Sequence, residues 1–156
     1  MWFDSRAEDA ARFYTSVFPN SRITGKSLYG EAGKEFHGKP PGSVLMVEFE
    51  LNGQPFTALN GGPNFKFNEA VSFQIYCETQ DEVDNYWEKL TAGGDPNAQQ
   101  CGWLKDKYGL SWQVVPTVLI EMIKDPDTVK SGRAMEAMMG MKKIDIAALQ
   151  RAYRGD

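Results

Sequence analysis

Apolar and polar positions along the chain follow two rhythms. In "SRAEDAARFYTSVF", Ala10, Phe13, Tyr14 and Val17 recur at helical spacing and mark one apolar face. Ser5 and Glu8 fit the S-x-x-E capping box at its start, and Pro19 and Asn20 close it. The same grammar returns in "TQDEVDNYWEKLTAGG". There Thr79 and Glu82 form a second capping box, Val83, Tyr86, Trp87 and Leu90 the stripe, and Gly93–Gly94 the stop. Period-two alternation marks strands in "RITGKSLYG", "SVLMVEFEL", "QPFTALN", "VSFQIYCE", "CGWLK" and "LSWQVVP". Asn52-Gly53 predicts a tight type I′ hairpin, because both central residues must take positive φ. Asp106-Lys107-Tyr108-Gly109 predicts a longer hairpin loop with Gly109 left-handed.

The elements fall into an approximate repeat, strand–helix–three strands, twice. Its first copy spans residues 1–62 and its second 63–116, with "NGGPNFKFNEA" as the linker. The two copies are offset by one residue in their caps and aromatic pairs. After Pro116 the pattern is helical only, through "TVLIEMIKD", "PDTVKSGRAMEAMMGM" and "IDIAALQRAY", giving a tail over 117–156. Its methionines suit either packing on the tail's own subunit or contact with a second copy.

Composition narrows the classes of function. A chain of 156 residues with 42% apolar and 12% aromatic residues can bury one compact core. The net charge of −4 offers no basic face for nucleic acid. No apolar run approaches the roughly 18 residues of a membrane span, and "MWFDSRAEDA" has no signal-peptide pattern. Two cysteines, Cys77 and Cys101, make no disulfide framework, so a reducing, cytoplasmic setting is expected. His37 is the sole histidine, which excludes His-rich zinc or iron sites.

Taken together, "FDSRAEDAARFYTSVFPNS", "VEFELNGQPFTALNGGP", "SFQIYCETQDEVDNYWEKL", "CGWLKDKYGLSWQVVP" and "MKKIDIAALQRA" resemble the PhnB-like family. That family is often labelled 3-demethylubiquinone 3-methyltransferase and lies in the vicinal oxygen chelate superfamily of glyoxalase and bleomycin-resistance proteins. The resemblance implies an α+β fold of two tandem βαβββ modules forming a cupped mixed sheet, with helices outside, a ligand cavity inside and C-terminal helices added. It also implies a homodimer. The methyltransferase label finds little support in the residues. "LNGGP" is the one dense glycine word, and it follows a hairpin strand instead of opening a helix.

If the helices cover the apolar strand faces, alternation sorts the side chains. Val47, Phe49, Leu51, Phe73, Ile75, Cys77, Leu110, Trp112 and Val114 go to the helix side. Glu48, Asn60, Gln74, Tyr76, Ser111 and Gln113 are left for the cavity, with Trp103 lining or rimming it. Metal-dependent members of the superfamily carry D-x-x-G-x-x-x-E in their last strand. The matching word here, Asp106 to Gln113, ends in an amide, and the strand opening the second unit offers Ser72 and Gln74. The matching position in the first strand falls upstream of Met1. Amides alone hold a divalent ion poorly, so no metal and no cofactor are expected.

Two residues are candidates for catalysis. Glu48 reads either as a general base on a cavity wall or as a solvated sheet residue. His37, in the loop "KEFHGKPPG", reads as a surface side chain or, were the loop to close, as an acid/base group. Cys101 reads as a packed thiol. The expected function is a metal-independent pocket for an unidentified small organic ligand, either sequestered or transformed. The alternatives are a metal-dependent glyoxalase or dioxygenase type of enzyme and the methyltransferase of the family label.

Overall fold

The computed structural model describes residues 1–156 and resolves them into two compact units, Met1–Phe67 and Asn68–Asp156.

The first unit opens with strand β1 (Trp2–Phe3), followed by helix α1 (Ala7–Val17), strand β2 (Arg22–Leu28) and a single helical turn α2 (Lys34–His37). Strands β3 (Val44–Leu51) and β4 (Gln54–Asn60) complete it. The sheet order is β1-β4-β3-β2, with β1 parallel to β4 and the other pairs antiparallel. Asn52 and Gly53 take φ of 48° and 79°, the tight hairpin expected between β3 and β4. Helix α1 packs on β3 and β4. Its buried face is Ala7, Ala10, Ala11, Tyr14 and Val17, while Phe13 is only half-buried. The small alanines let the helix approach the sheet, where Tyr14, Phe49 and Phe56 stack in sequence. Full burial of one such large side chain contributes about 1.5–3 kcal/mol.

The Ser5–Glu8 capping box does not form. The helix starts at Ala7 with Arg6 as N-cap and no local side-chain cap. Glu8 turns instead to Arg12 at 2.7 Å and Lys26 at 3.5 Å. The orphan N–H of Ala7 is met from the end of β4, where Asn60 Oδ1 accepts it at 2.8 Å.

The second unit contains β5 (Ser72–Cys77), α3 (Gln80–Thr91), β6 (Trp103–Lys105) and β7 (Ser111–Pro116). Helices α4 (Thr117–Ile123), α5 (Thr128–Met139) and α6 (Ile146–Arg154) follow. The sheet order is β5-β7-β6, with β5 parallel to β7 and β6 antiparallel to it. This matches the first unit with its outer strand removed, so the expected second βαβββ module has one strand fewer. The segment between α3 and β6 forms a 3-10 turn over Pro96–Ala98 and one isolated bridge, Gln100 to Trp103. Gly94 lies so close to the Lys105 carbonyl, on the edge the absent strand would occupy, that a Cβ there would overlap it. The Thr79–Glu82 capping box forms in full.

The tail helices share a core of Leu119, Met122, Ala134, Ile144 and Leu149, with Met138 and Met141 packed against it. Polar clamps tie the tail to the rest of the unit. Gln80 donates to the Ile144 carbonyl at 3.1 Å and accepts from Ile146 N–H at 2.9 Å. The N–H groups of Cys101 and Gly102 donate to the carbonyls of Met141 and Lys142, each at 2.8 Å. Val129, Met135 and Met139 of α5 remain exposed. No helix is long and apolar enough to cross a membrane.

Candidate functional site

In the second unit α3 packs on one face of the sheet, and that face takes Ile75, Cys77, Leu104, Trp112 and Val114, all buried. The opposite face carries Ser72, Gln74 and Tyr76 of β5 beside Ser111, Gln113 and Val115 of β7, in direct register. Trp103 and Lys105 of β6 continue the rows from Gln113 and Ser111.

Four of these side chains form one hydrogen-bonded chain. Tyr76 Oη donates to Gln74 Oε1 at 2.6 Å, Gln74 Nε2 to Gln113 Oε1 at 3.3 Å, and Gln113 Nε2 to Ser72 Oγ at 2.9 Å. Parallel pairing of β5 with β7 sets Gln74 directly beside Gln113. The amide in an otherwise apolar strand thus belongs to an uncharged polar network, with Tyr76 exposed at one end and half-buried Trp103 alongside. Ser111, in contrast, is 1% exposed. Lys105 is ion-paired with Glu69.

Behind the network, the turn from β6 to β7 is held by Asp106. Its buried carboxylate accepts from Tyr108 N–H, Leu110 N–H and Trp112 Nε1 at 2.8, 3.1 and 2.8 Å. Gly109 takes the left-handed conformation expected of it, with φ of 84°. The turn expected over Asp106–Gly109 forms, and the Asx contact of an Asp opening it follows from the D-x-x-G pattern, whereas its bond to the Trp112 indole does not. Cys77 faces α3, and its thiol is pushed up to about 12, first by burial and then by Glu82 and Glu78. Cys101 is half-buried with a φ of 53°.

In the first unit Glu48 lies on the helix-free face, exposed, between Gly25 of β2 and Thr57 of β4. Asn60 departs from the expected cavity-facing set. It shares the buried, helix-side face of β4 with Ala58, capping Ala7 and donating from Nδ2 to the Val44 carbonyl at 3.0 Å. Period-two alternation already put Asn60 with Ala58; what it could not supply was the unmet N–H at the end of α1. Asn60 still reaches the wall of a hollow of about 280 Å³ at that helix end, with Ser5, Asp9 and Lys39.

His37 is built into its loop. Its Nδ1 accepts from Lys39 N–H at 3.0 Å, Nε2 lies 3.3 Å from the Ala32 carbonyl, and the ring packs on Tyr29 at 4.4 Å. Its neutral tautomer with hydrogen on Nε2 satisfies both contacts. No group of three or more His, Cys, Asp or Glu side chains is placed to hold a metal ion.

The profile of the 3-demethylubiquinone-9 3-methyltransferase family matches residues 1–115. A PhnB protein of Bacillus cereus, provisionally described as a 3-demethylubiquinone-9 3-methyltransferase, is 37% identical. The match covers 75% of this chain and 95% of that one, with a TM-score of 0.63. Protein PA1353 of Pseudomonas aeruginosa is 14% identical over 74% and 92% of the two chains, with a TM-score of 0.50, a likeness of fold alone. A glyoxylase/bleomycin resistance protein/dioxygenase domain of Frankia sp. EAN1pec is 13% identical over 69% and 82% of the two chains, with a TM-score of 0.44. Comparison with curated proteins finds no match.

Proposed function

Because this chain belongs to the 3-demethylubiquinone-9 3-methyltransferase family, we propose that it is a small-molecule-binding protein of the PhnB-like kind, whose site takes an organic ligand without a divalent metal. The observation that carries this reading is the chain of neutral groups, Tyr76–Gln74–Gln113–Ser72, on the face of the second sheet opposite α3. Amides and hydroxyls of this kind offer both donors and acceptors to carbonyl, hydroxyl or amide groups, and Trp103 adds an apolar wall. A transition ion needs imidazole or anionic partners, and Gln113 supplies neither where the superfamily's metal-binding word ends in Glu.

The family's description speaks of methyl transfer, but the dense glycine word serves another purpose here. Gly61 makes room for the Trp2 ring, whose Nε1 donates to the Gly62 carbonyl at 2.8 Å. We propose, too, that the working unit is a homodimer.

Elemental analysis tests the reading. Protein purified without chelator, incubated with zinc, nickel, manganese or iron(II) and desalted, is expected to hold far less than one ion per chain. Near-unit occupancy that Gln113→Ala abolishes would overturn metal independence. Extraction followed by mass spectrometry should recover an organic molecule from the wild type that the Gln74→Ala/Gln113→Ala double variant no longer retains.

A further inference from the structure

The helix-free face of the first sheet is graded along its strands. One row, Trp2–Leu59–Met46, is apolar up to its last member, Ser27 of β2, and exposed Phe65 meets Trp2 edge-on at 4.9 Å between centroids. The next row, two residues on, is Thr57–Glu48–Gly25, and the third is Pro55–Glu50–Arg22. Neighbouring rows lie roughly 7 Å apart along a strand.

The two carboxylates differ. Glu50 is ion-paired with Arg22 at 3.3 Å, whereas Glu48 has no hydrogen-bond or ion-pair partner in the chain. Its carboxylate is nevertheless placed. A Cβ on Gly25 would overlap Glu48 Oε2, so the missing side chain lets the carboxylate lie across β2. The pairing of β2 with β3 shifts between Ile23 and Gly25, which leaves Thr24 as the extra residue. A glycine inside a strand weakens it, and it commonly marks a bulge or a close approach. Here it does both. A hollow of about 310 Å³ opens on the other side of Glu48, toward the hairpin, lined by Thr24, Glu50, Pro55, Phe56 and Thr57, so the carboxylate is open to a cation from there as well as from the apolar row.

From this arrangement we infer that the helix-free face of the first sheet binds organic ammonium ions, with the cation on Glu48 and an apolar body on Met46, Leu59 and Trp2. A carboxylate with no internal cation is the one charged group on this face free to take an external one, and a hydrogen bond between opposite charges is stronger than a neutral one. The apolar row sets the length of the body, since a chain of five or six carbons spans one row. Gly25 is a positioning residue that keeps the carboxylate low on the sheet. The groups used belong to the first sheet, the amide network to the second, and binding here needs none of the amides.

The test uses the full chain and n-hexylammonium as probe, with n-hexanol and hexanoate as neutral and anionic counterparts. Chemical shifts of the Gly25, Thr57 and Leu59 amides and the Trp2 indole N–H report binding. Hexylammonium is expected to move these signals saturably, and the counterparts are not. Glu48→Gln should weaken binding about threefold, the scale of a lost exposed ion pair. Gly25→Ala keeps the charge, displaces the flexible carboxylate and should weaken binding less. Glu50→Gln removes the same charge one row away and should have the smallest effect. Equal losses in Glu50→Gln and Glu48→Gln, equal binding of hexanol, or no shift at these four signals would each overturn the inference.

Discussion

Asn60 shows how a single side chain can do what a local motif was expected to do. It meets the Ala7 N–H and the Val44 carbonyl together, so one buried amide joins the start of α1 to two strands. Asp106 plays a similar part in the second unit, closing a turn and fixing the Trp112 indole with one carboxylate. Cys77 gives the prediction proper to this scale. Burial raises its pKa from an ordinary 9.0 to about 12. The thiol is protonated in folded and unfolded states below pH 9, where its contribution to stability is fully present. Above pH 9 the unfolded chain ionises first, so stability falls as pH rises toward 12. At pH 8, dithiodipyridine should therefore titrate one thiol, Cys101, in the native protein, and Cys77 only after unfolding. Two equally fast thiols would show that Cys77 is not held behind the sheet.

Elements differ in whether their ends are capped from nearby or from afar. Helix α3 carries its own box, with Thr79 Oγ1 accepting from Glu82 N–H at 3.2 Å. Helix α1 has the same letters and no box, since Glu8 sits one position too early once the helix begins at Ala7. Thr79→Ala is thus expected to cost about 1 kcal/mol in urea denaturation. Ser5→Ala should change stability by less than about 0.5 kcal/mol, like a surface residue without partners. Equal losses in the two variants would mean that the Ser5 box forms in solution. The strand missing from the second unit also belongs to this scale. Its residues carry Gly93, Gly94 and Pro96, which favour turns over a ladder.

For the whole molecule, the open sheet edges bear on assembly. The first sheet ends on β1, only two residues long, and the second on β5, paired on one side only. Short or half-paired edges are commonly covered by a further strand. The exposed Val129, Met135 and Met139 of α5 add apolar surface on the tail. Light scattering at micromolar concentration is expected to give twice the chain mass. A value near 17.5 kDa would remove the dimer.

The sequence alone determined where the main helices and the paired strands lie, and which face of those strands is apolar, though not the helical turn at Lys34–His37 or the strand lacking from the second unit. Those properties repeat over two or 3.6 residues and need no distant partner, so Val47, Phe49, Trp112 and Val114 could be sorted from Glu48 and Gln113 directly. The Asn52-Gly53 turn and the Thr79–Glu82 cap were legible for the same reason. Only the tertiary structure decided the rest. That Gln113 bonds Ser72 and Gln74 depends on β5 lying parallel to β7 across an intervening helix, and that Asn60 caps α1 depends on where β4 ends. Gly25 reads in the sequence as a weak point in a strand. It becomes the seat of the Glu48 carboxylate once β2 and β3 pair, because a missing side chain acquires meaning only from the neighbour that fills its space.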